Sequence, residues 1–309
     1  MVLRDSCGRP LLNLRLGITQ RCNLRCEYCH MEGEEKCVTR PRTEMTVDEI
    51  VRIVTVAVRL GLCRVKLTGG EPLARSDVVQ VVKGISAISG LADLSMTTNG
   101  TLFAPLAEDL YASGLKRVNV NLPTLDETAY SKLTGGRVKD ALEGIETAVG
   151  RGFCPVKINM LVLRGVNDGV VGEMIAFARK AGAILQLIEL EPINIAETYY
   201  SLRHKPLDEY EKKLKQEAVK VETREYMQNR RIYHLPDVKV ETIRPTENAD
   251  FCMHCTRLRV TSSGKLKTCL MKNDNLVDVL TPLRKGASDR ELEELFMLAN
   301  QKRQPYNKN

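Results

Sequence analysis

Leu12-Asn13-Leu14-Arg15-Leu16-Gly17-Ile18-Thr19 reads as a β-strand, and Cys22-x₃-Cys26-x₂-Cys29 begins three residues after it. Side chains alternate faces along a strand, so Leu12, Leu14, Leu16 and Ile18 share one side while Asn13, Arg15, Gly17 and Thr19 share the other. The apolar side requires a covering layer. The same alternation recurs downstream: Lys66 and Thr68 against Val65 and Leu67; Arg117, Asn119 and Asn121 against Val118, Val120 and Leu122; Lys157 and Asn159 against Val156, Ile158 and Met160.

Helix-like runs separate these strands. Leu12 to Thr19 is followed by Val47 to Leu60, Arg64 to Leu67 by Asp77 to Ile88, and Asp93 to Thr97 by Ala104 to Ala112. Arg117 to Leu122, helices up to Arg151, Val156 to Leu163, Val170 to Ala181 and Ile184 to Leu190 complete six βα-type units. Thr46-x-x-Glu49, Thr124-x-x-Glu127 and Ser288-x-x-Glu291 read as capping boxes, and Gly61, Gly114, Gly152 and Gly182 as helix stops. Strict alternation implies parallel strands with covering helices.

The predicted fold class is therefore α/β, a partial (βα)6 TIM-type barrel spanning residues 1–230. A small C-terminal α+β region, residues 231–309, would carry short strands at Arg231 to Leu235, Val238 to Ile243 and Leu258 to Thr261 and a last helix from about Asp289. Between them, Asn194 to Arg231 is polar, with one helix from Leu207 to about Glu217. A closed eight-stranded barrel fills its interior with branched apolar side chains. Six strands with Arg15, Lys66 and Lys157 on their inner face predict instead an open barrel holding a polar, anionic ligand, because unpaired buried cations are costly. The alternative is that these cations snorkel to solvent at strand ends.

With 309 residues and 43% hydrophobic content, the chain can bury a full core despite having no Trp and 5% aromatics. Met1 to Pro10 has no apolar signal core, and no apolar run reaches the roughly 18 residues of a membrane span. A cytoplasmic protein without a membrane partner is expected. The net charge of +7 fits a phosphorylated small molecule, a nucleic acid, or merely a basic surface.

Six of the ten cysteines form two triplets, the one above and Cys252-x₂-Cys255-x₁₃-Cys269. In a reducing compartment such thiols point to metal or catalysis. Each triplet leaves one corner of a tetrahedral or cubane site open. Zinc remains an alternative if His30 or His254 completes a Cys₃His set, and an iron–sulfur cluster is the other reading. Cys7, Cys37, Cys63 and Cys154 lack partner spacing and read as buried structural cysteines.

The first triplet follows the first strand, at the face where barrel enzymes place their active sites. Thr68-Gly69-Gly70-Glu71-Pro72 leaves the second strand on the same face, with glycines that admit close backbone approach and a carboxylate that can accept hydrogen bonds from an amine. Joined to Cys-x₃-Cys-x₂-Cys, this string resembles the radical S-adenosylmethionine (SAM) enzymes. The resemblance implies a [4Fe–4S] cluster on Cys22, Cys26 and Cys29 whose fourth iron chelates SAM, with SAM cleaved by one electron to a 5′-deoxyadenosyl radical. Tyr28, Gly70, Glu71 and Asn121 would contact SAM.

Cys252-x₂-Cys255-Thr256-Arg257-Leu258-Arg259 followed by Cys269 narrows this further. With Gly8-Arg9-Pro10, Leu14-Arg15-Leu16, Thr97-Thr98-Asn99-Gly100, Lys157-Ile158-Asn159 and Gly165-Val166-Asn167-Asp168 in the same order, it looks like the GTP 3′,8-cyclase family of molybdenum cofactor biosynthesis, archaeal type. The resemblance covers nearly the whole chain. It implies a lyase and a second [4Fe–4S] cluster on Cys252, Cys255 and Cys269 that binds the guanine of GTP. It also implies catalytic roles for Arg257, Arg259 and Arg15, and a GTP site made by Arg15, Lys66, Thr97, Lys157, Arg257, Leu258 and Arg259. The implied reaction takes hydrogen from C3′ of GTP and joins C3′ to guanine C8.

Departures from the family accompany the match. Asn121-Leu122-Pro123 stands where Ser-Leu-Asp is usual, and Gln186 and Glu191 stand where bacterial members carry Arg and Met. Bacterial members end in a Gly-Gly tail that enters the active site, whereas this chain ends Tyr306-Asn307-Lys308-Asn309, so another cation is expected in its place. Expected partners are GTP, an electron donor, the downstream cyclic pyranopterin monophosphate synthase and a second copy of the chain, but no nucleic acid. A peptide-maturing radical SAM enzyme is the nearest alternative, and the Cys-Thr-Arg-x-Arg string speaks against it. A zinc-stabilised RNA-binding protein lacks its basic run with interleaved aromatics.

Overall fold

The computed structural model describes residues 2–34 and 44–307. Its frame is one 12-stranded sheet in the order β12-β11-β10-β1-β2-β3-β4-β5-β6-β9-β8-β7. The strands are β1 Asn13–Gly17, β2 Arg64–Thr68, β3 Asp93–Thr98, β4 Arg117–Asn121, β5 Val156–Val162, β6 Ile184–Glu189, β7 Lys220–Arg224, β8 Arg230–His234, β9 Lys239–Ile243, β10 Arg257–Val260, β11 Lys265–Lys267 and β12 Val277–Asp278. As predicted, β1 to β6 are parallel and consecutive, in an open barrel of TIM type.

The C-terminal strands do more than form an appended region. β10 pairs in parallel with β1, and β9 in parallel with β6. An open six-stranded sheet exposes two rows of unpaired backbone groups, and the C-terminal segment satisfies both. Antiparallel β11 and β12 extend one side and β8 and β7 the other.

The apolar strand faces pack under helices Val47–Arg59, Val78–Ser86, Ala107–Ala112, Val138–Arg151 and Val171–Ala181. Leu14, Leu16, Leu67, Val118, Val120, Ile158 and Leu185 are essentially inaccessible. Burying each such side chain contributes roughly 1.5–3 kcal/mol. Thr46 and Glu49, and Ser288 and Glu291, form the predicted reciprocal caps. Thr124 does not: its hydroxyl accepts from Asp126 N, and Asp126 caps the helix Glu127–Thr134. Two elements escaped prediction in the polar stretch, the helix Glu197–Arg203 and β7. The latter lies at the sheet edge with little buried face, so its sequence carries no alternation.

Cys7 and Cys154 are exposed and Cys63 is half-buried, correcting the expectation of buried structural thiols. Cys37 lies outside the described residues. No described helix is long and apolar enough to cross a membrane.

Candidate functional site

The inner strand faces line a cavity of about 860 Å³, toward the upper end of the roughly 300–1,000 Å³ usual for small-molecule sites. Arg15, Lys66, Thr97, Asn119, Asn121, Lys157 and Asn159 all reach it, as period-two reading required. So do all three thiols of the first triplet, the three of the second, and Arg257 and Arg259.

The first triplet sits in the loop after β1. Its close fit to the loop after β2 explains the glycine pair: a Cβ on Gly69 would lie 2.2 Å from Thr19 O, and one on Gly70 2.3 Å from Arg21 O. Gly70 N and Glu71 N donate to those same carbonyls at 2.8 and 2.7 Å. The glycines thus seat the cysteine loop, and Gly69 and Gly70 also border the cavity. Glu71 is turned inward. Its buried carboxylate accepts from Leu73 N, Thr98 Oγ1 and Asn99 N at 3.0, 2.7 and 2.7 Å and lies off the cavity wall. Burial pushes it up to about 6. One of its donors, Asn99, has a side-chain amide that donates to Asn23 Oδ1 and, at 4.0 Å, to Cys22 Sγ.

Burial, then the neighbouring Cys29 and Cys22, push the Cys26 thiol up to about 12. Three thiols that oppose one another's ionisation want a cationic occupant. Tyr28 packs on the apolar cluster of Leu133, Leu163 and Leu190 while facing the cavity. Asn121 Oδ1 accepts from Asn159 Nδ2 at 2.9 Å.

At the second triplet, burial raises the Cys255 thiol, but the guanidiniums of Arg257 and Arg303 outweigh it and leave the thiol below its ordinary value. The last described residues reach this wall too: Gln304 and Tyr306 line it, and Asn307 N donates to Cys252 Sγ at 3.5 Å. His30 Nδ1 accepts from Glu32 N, and His254 Nδ1 lies against Asp250 on its own helix. Among the described residues, no three His, Cys, Asp or Glu side chains gather around one point as a single ion would require.

Parallel pairing of β10 with β1 sets Arg257 beside Asn13 and Arg259 beside Arg15. Leu258 necessarily points the other way, and its side chain is wholly buried in the helix-side core. Glu32, unrecognised in the sequence, pairs with both Arg259 and Arg15, the latter at 3.6 Å, and accepts from Thr68 Oγ1 at 2.6 Å. Burial raises its carboxyl, but Arg259 and Arg15 outweigh this and hold it well below the carboxylate range. Its turn has φ +53, outside any periodic pattern.

A second network was also missed. Lys66 Nζ donates to Asn119 Oδ1, Asn119 Nδ2 to Gln186 Oε1, and Gln186 Nε2 to Glu241 Oε2. Lys157 Nζ meets Glu241 Oε2 at 2.6 Å, and Arg224 and Arg230 approach Glu241 Oε1 at 3.1 and 3.7 Å. Period two along Lys239, Glu241 and Ile243 would have pointed Glu241 inward, once β9 was recognised as a barrel strand. Burial pushes Lys66 well below its ordinary value, and Arg15 and Lys157 add to this. The surplus of cations suits a multiply charged anion.

Residues 16–178 match the radical SAM superfamily, and residues 183–309 match Molybdenum Cofactor Synthesis C. The "Probable GTP 3′,8-cyclase" of Thermococcus kodakarensis is 46% identical over 99% of both chains, and that of Pyrococcus abyssi 47% over 99% of both.

The chain belongs to the radical SAM family of GTP 3′,8-cyclases.

The "Probable GTP 3′,8-cyclase" of Methanocaldococcus jannaschii is 42% identical over 98% of this chain and 99% of its own. Among solved structures, Streptococcus suis SuiB bound to S-adenosylmethionine has a TM-score of 0.62 at 18% identity, covering 84% of this chain and 60% of SuiB. At that identity the likeness concerns the fold, which is the open barrel common to radical SAM proteins. Gln186 joins Asn119 to Glu241 through its side-chain amide.

Proposed function

We propose that this chain is a radical SAM lyase that cyclises GTP to (8S)-3′,8-cyclo-7,8-dihydroguanosine 5′-triphosphate in molybdopterin biosynthesis. One observation carries this reading: both cysteine triplets, Arg15, Arg257 and Arg259 line a single cavity with the polar strand faces between them. Two reagents held there are kept in mutual reach, and proximity of that kind supplies much of an enzyme's rate.

Cys22, Cys26 and Cys29 would hold one [4Fe–4S] cluster, and Cys252, Cys255 and Cys269 a second. The bound cofactors supply one-electron cleavage of SAM at the first cluster. Everything else falls to the chain. Tyr28, Gly70 and Asn121 would seat SAM, with Glu71 acting indirectly through Asn99. Arg257, Arg259 and Arg15 would surround the reacting nucleoside, with Glu32 setting the directions of Arg259 and Arg15. Leu258 would act only by fixing the strand between the two arginines.

Lys66, Thr97 and Lys157 would take the triphosphate, as expected from their strands. Arg224 and Arg230 are added from the β7–β8 hairpin, supplying cations where Gln186 supplies none. The division at 230/231 is then one of chemical role. Residues 1–230 carry SAM chemistry and residues 231–309 carry the second cluster, although one sheet runs through both. An electron donor, the downstream cyclic pyranopterin monophosphate synthase, a second copy of the chain and a cytoplasmic setting complete the proposal.

The test is anaerobic reconstitution with iron and sulfide, then incubation with SAM, dithionite and GTP. The proposal requires about eight irons per chain from two clusters and GTP-dependent 5′-deoxyadenosine. Formation of 5′-deoxyadenosine with GTP left intact would remove the substrate assignment alone. Two zinc ions and no 5′-deoxyadenosine would remove the radical chemistry.

A further inference from the structure

Behind the second triplet three charged side chains are buried together. Asp5, Arg9 and Arg303 expose 0%, 5% and 1% of their side chains. Asp5 Oδ2 accepts from Arg9 Nε at 2.8 Å and lies 3.4 Å from Arg303 Nη1. Asp5 Oδ1 accepts from the backbone N–H groups of Cys7 and Arg9, each at 3.0 Å, so the carboxylate is anchored in its own turn.

The other ends of the two guanidiniums are directed at one target. Arg9 Nη1 donates to Cys252 O at 2.8 Å, and Arg303 Nη2 donates to Cys255 O at 2.7 Å. These carbonyls belong to the two ends of the Cys252-x₂-Cys255 turn, which Cys255 N closes on Cys252 O at 3.2 Å. Arg303 Nη1 is further held by Asn300 Oδ1 at 3.2 Å, and Asn300 Nδ2 donates to Arg4 O at 2.8 Å.

A tie between chain ends alone would not need ions here. Buried ion groups lose much of their attraction to desolvation, and apolar packing of equal volume often serves stability as well or better. Two arginines against one aspartate also leave one net positive charge against the turn.

We propose that Asp5, Arg9 and Arg303 form a positioning clamp for the second cysteine triplet, holding the Cys252 and Cys255 carbonyls and setting one net positive charge behind the cluster those residues would bind. This inference rests on the two-cluster reading above. Groups outside the ligand shell orient ligands and tune potentials through charge and hydrogen bonds. A positive charge favours the reduced, more negative cluster, so it raises the midpoint potential.

The test uses the full chain carrying Cys22→Ala, Cys26→Ala and Cys29→Ala, so that the second cluster is observed alone. In that parent, Arg303→Met should lower the midpoint potential read by an EPR-monitored titration, and Asp5→Asn should raise it. Both should lose iron to a chelator at least about tenfold faster than the parent. A merely structural tie has no reason to give shifts of opposite sign, so shifts of the same sign, or none, overturn the clamp. If Arg303→Met does not fold, Arg303→Lys keeps the charge and loses the fork. It should then hold the parent's potential while losing iron faster, and iron loss at the parent's rate overturns the clamp. A parent that binds no iron at all removes the two-cluster reading itself, whereas a parent with a cluster and unaltered variants removes only the clamp.

Discussion

Arg15 and Arg259 are register partners on adjacent parallel strands, and Glu32 pairs with both. Arg257 lies two residues before Arg259 on the same face of β10 and borders the same cavity. Arginine's planar fork makes two directed bonds that lysine cannot reproduce. Arg257→Lys is therefore expected to weaken GTP binding by about 1.5–3 kcal/mol, roughly ten- to a hundredfold. SAM binding should be unchanged. Equilibrium binding of both ligands to the reconstituted protein checks this, and an equal loss for SAM would contradict the placement.

Lys66 links GTP binding to pH. Burial and the neighbouring cations favour its neutral form in the free protein, whereas a phosphate beside it would favour the charged form. Binding then takes up a proton, so GTP affinity should fall as pH rises from neutral into the alkaline range. Lys66→Met should bind GTP more weakly and flatten that slope. A parallel slope in wild type and variant would assign the proton elsewhere.

Glu241 should govern acid stability. Burial raises its carboxyl, but Lys157, Arg230 and Arg224 outweigh this and hold it far below its ordinary 4.5. A carboxyl depressed on folding contributes stability that is complete above the unfolded value and is lost as pH falls through the folded one. Thermal melts should therefore show stability falling below about pH 4.5. Glu241→Gln, which leaves buried cations unpaired, should cost about 3–5 kcal/mol at neutral pH and reduce the acid slope.

Gly70→Ala tests the seating of the first triplet. Its Cβ would lie 2.3 Å from Arg21 O and 2.5 Å from Gln20 O, both backbone atoms that cannot swing aside. The cysteine loop must shift instead. The expected result is loss of the first cluster's iron and of SAM cleavage with the barrel still folded, read by iron analysis and circular dichroism.

Cys269→Ala should remove about half the reconstituted iron, abolish cyclisation and leave SAM binding at the first cluster intact. Full product yield from this variant would exclude a second cluster from the reaction.

Much of the barrel was legible because the strands obey period two and are joined by capped helices. Arg15 and Leu16 show the basis plainly: neighbours in sequence, the first faces the cavity and the second is sealed under helices. The two cysteine triplets were legible as local spacings. Glu32 was hidden in a turn with positive φ. β7, at the sheet edge and exposed along most of its length, has no apolar face to betray it. The direction of Glu71 was not legible because a turn sequence does not say which way its carboxylate swings, and here three donors draw it inward.

By itself the sequence determined the βα order, the polar inner face and two sets of three thiols, since all of these follow from bonds and periodicities a few residues long. Only the tertiary structure decided that β10 lies beside β1 and β9 beside β6. Those pairings bring Arg259 to Arg15 and Glu241 to Lys157. The physical reason is that an open sheet must satisfy both unpaired edges. Which distant segment does so depends on the folding of the whole chain, and no local pattern records it.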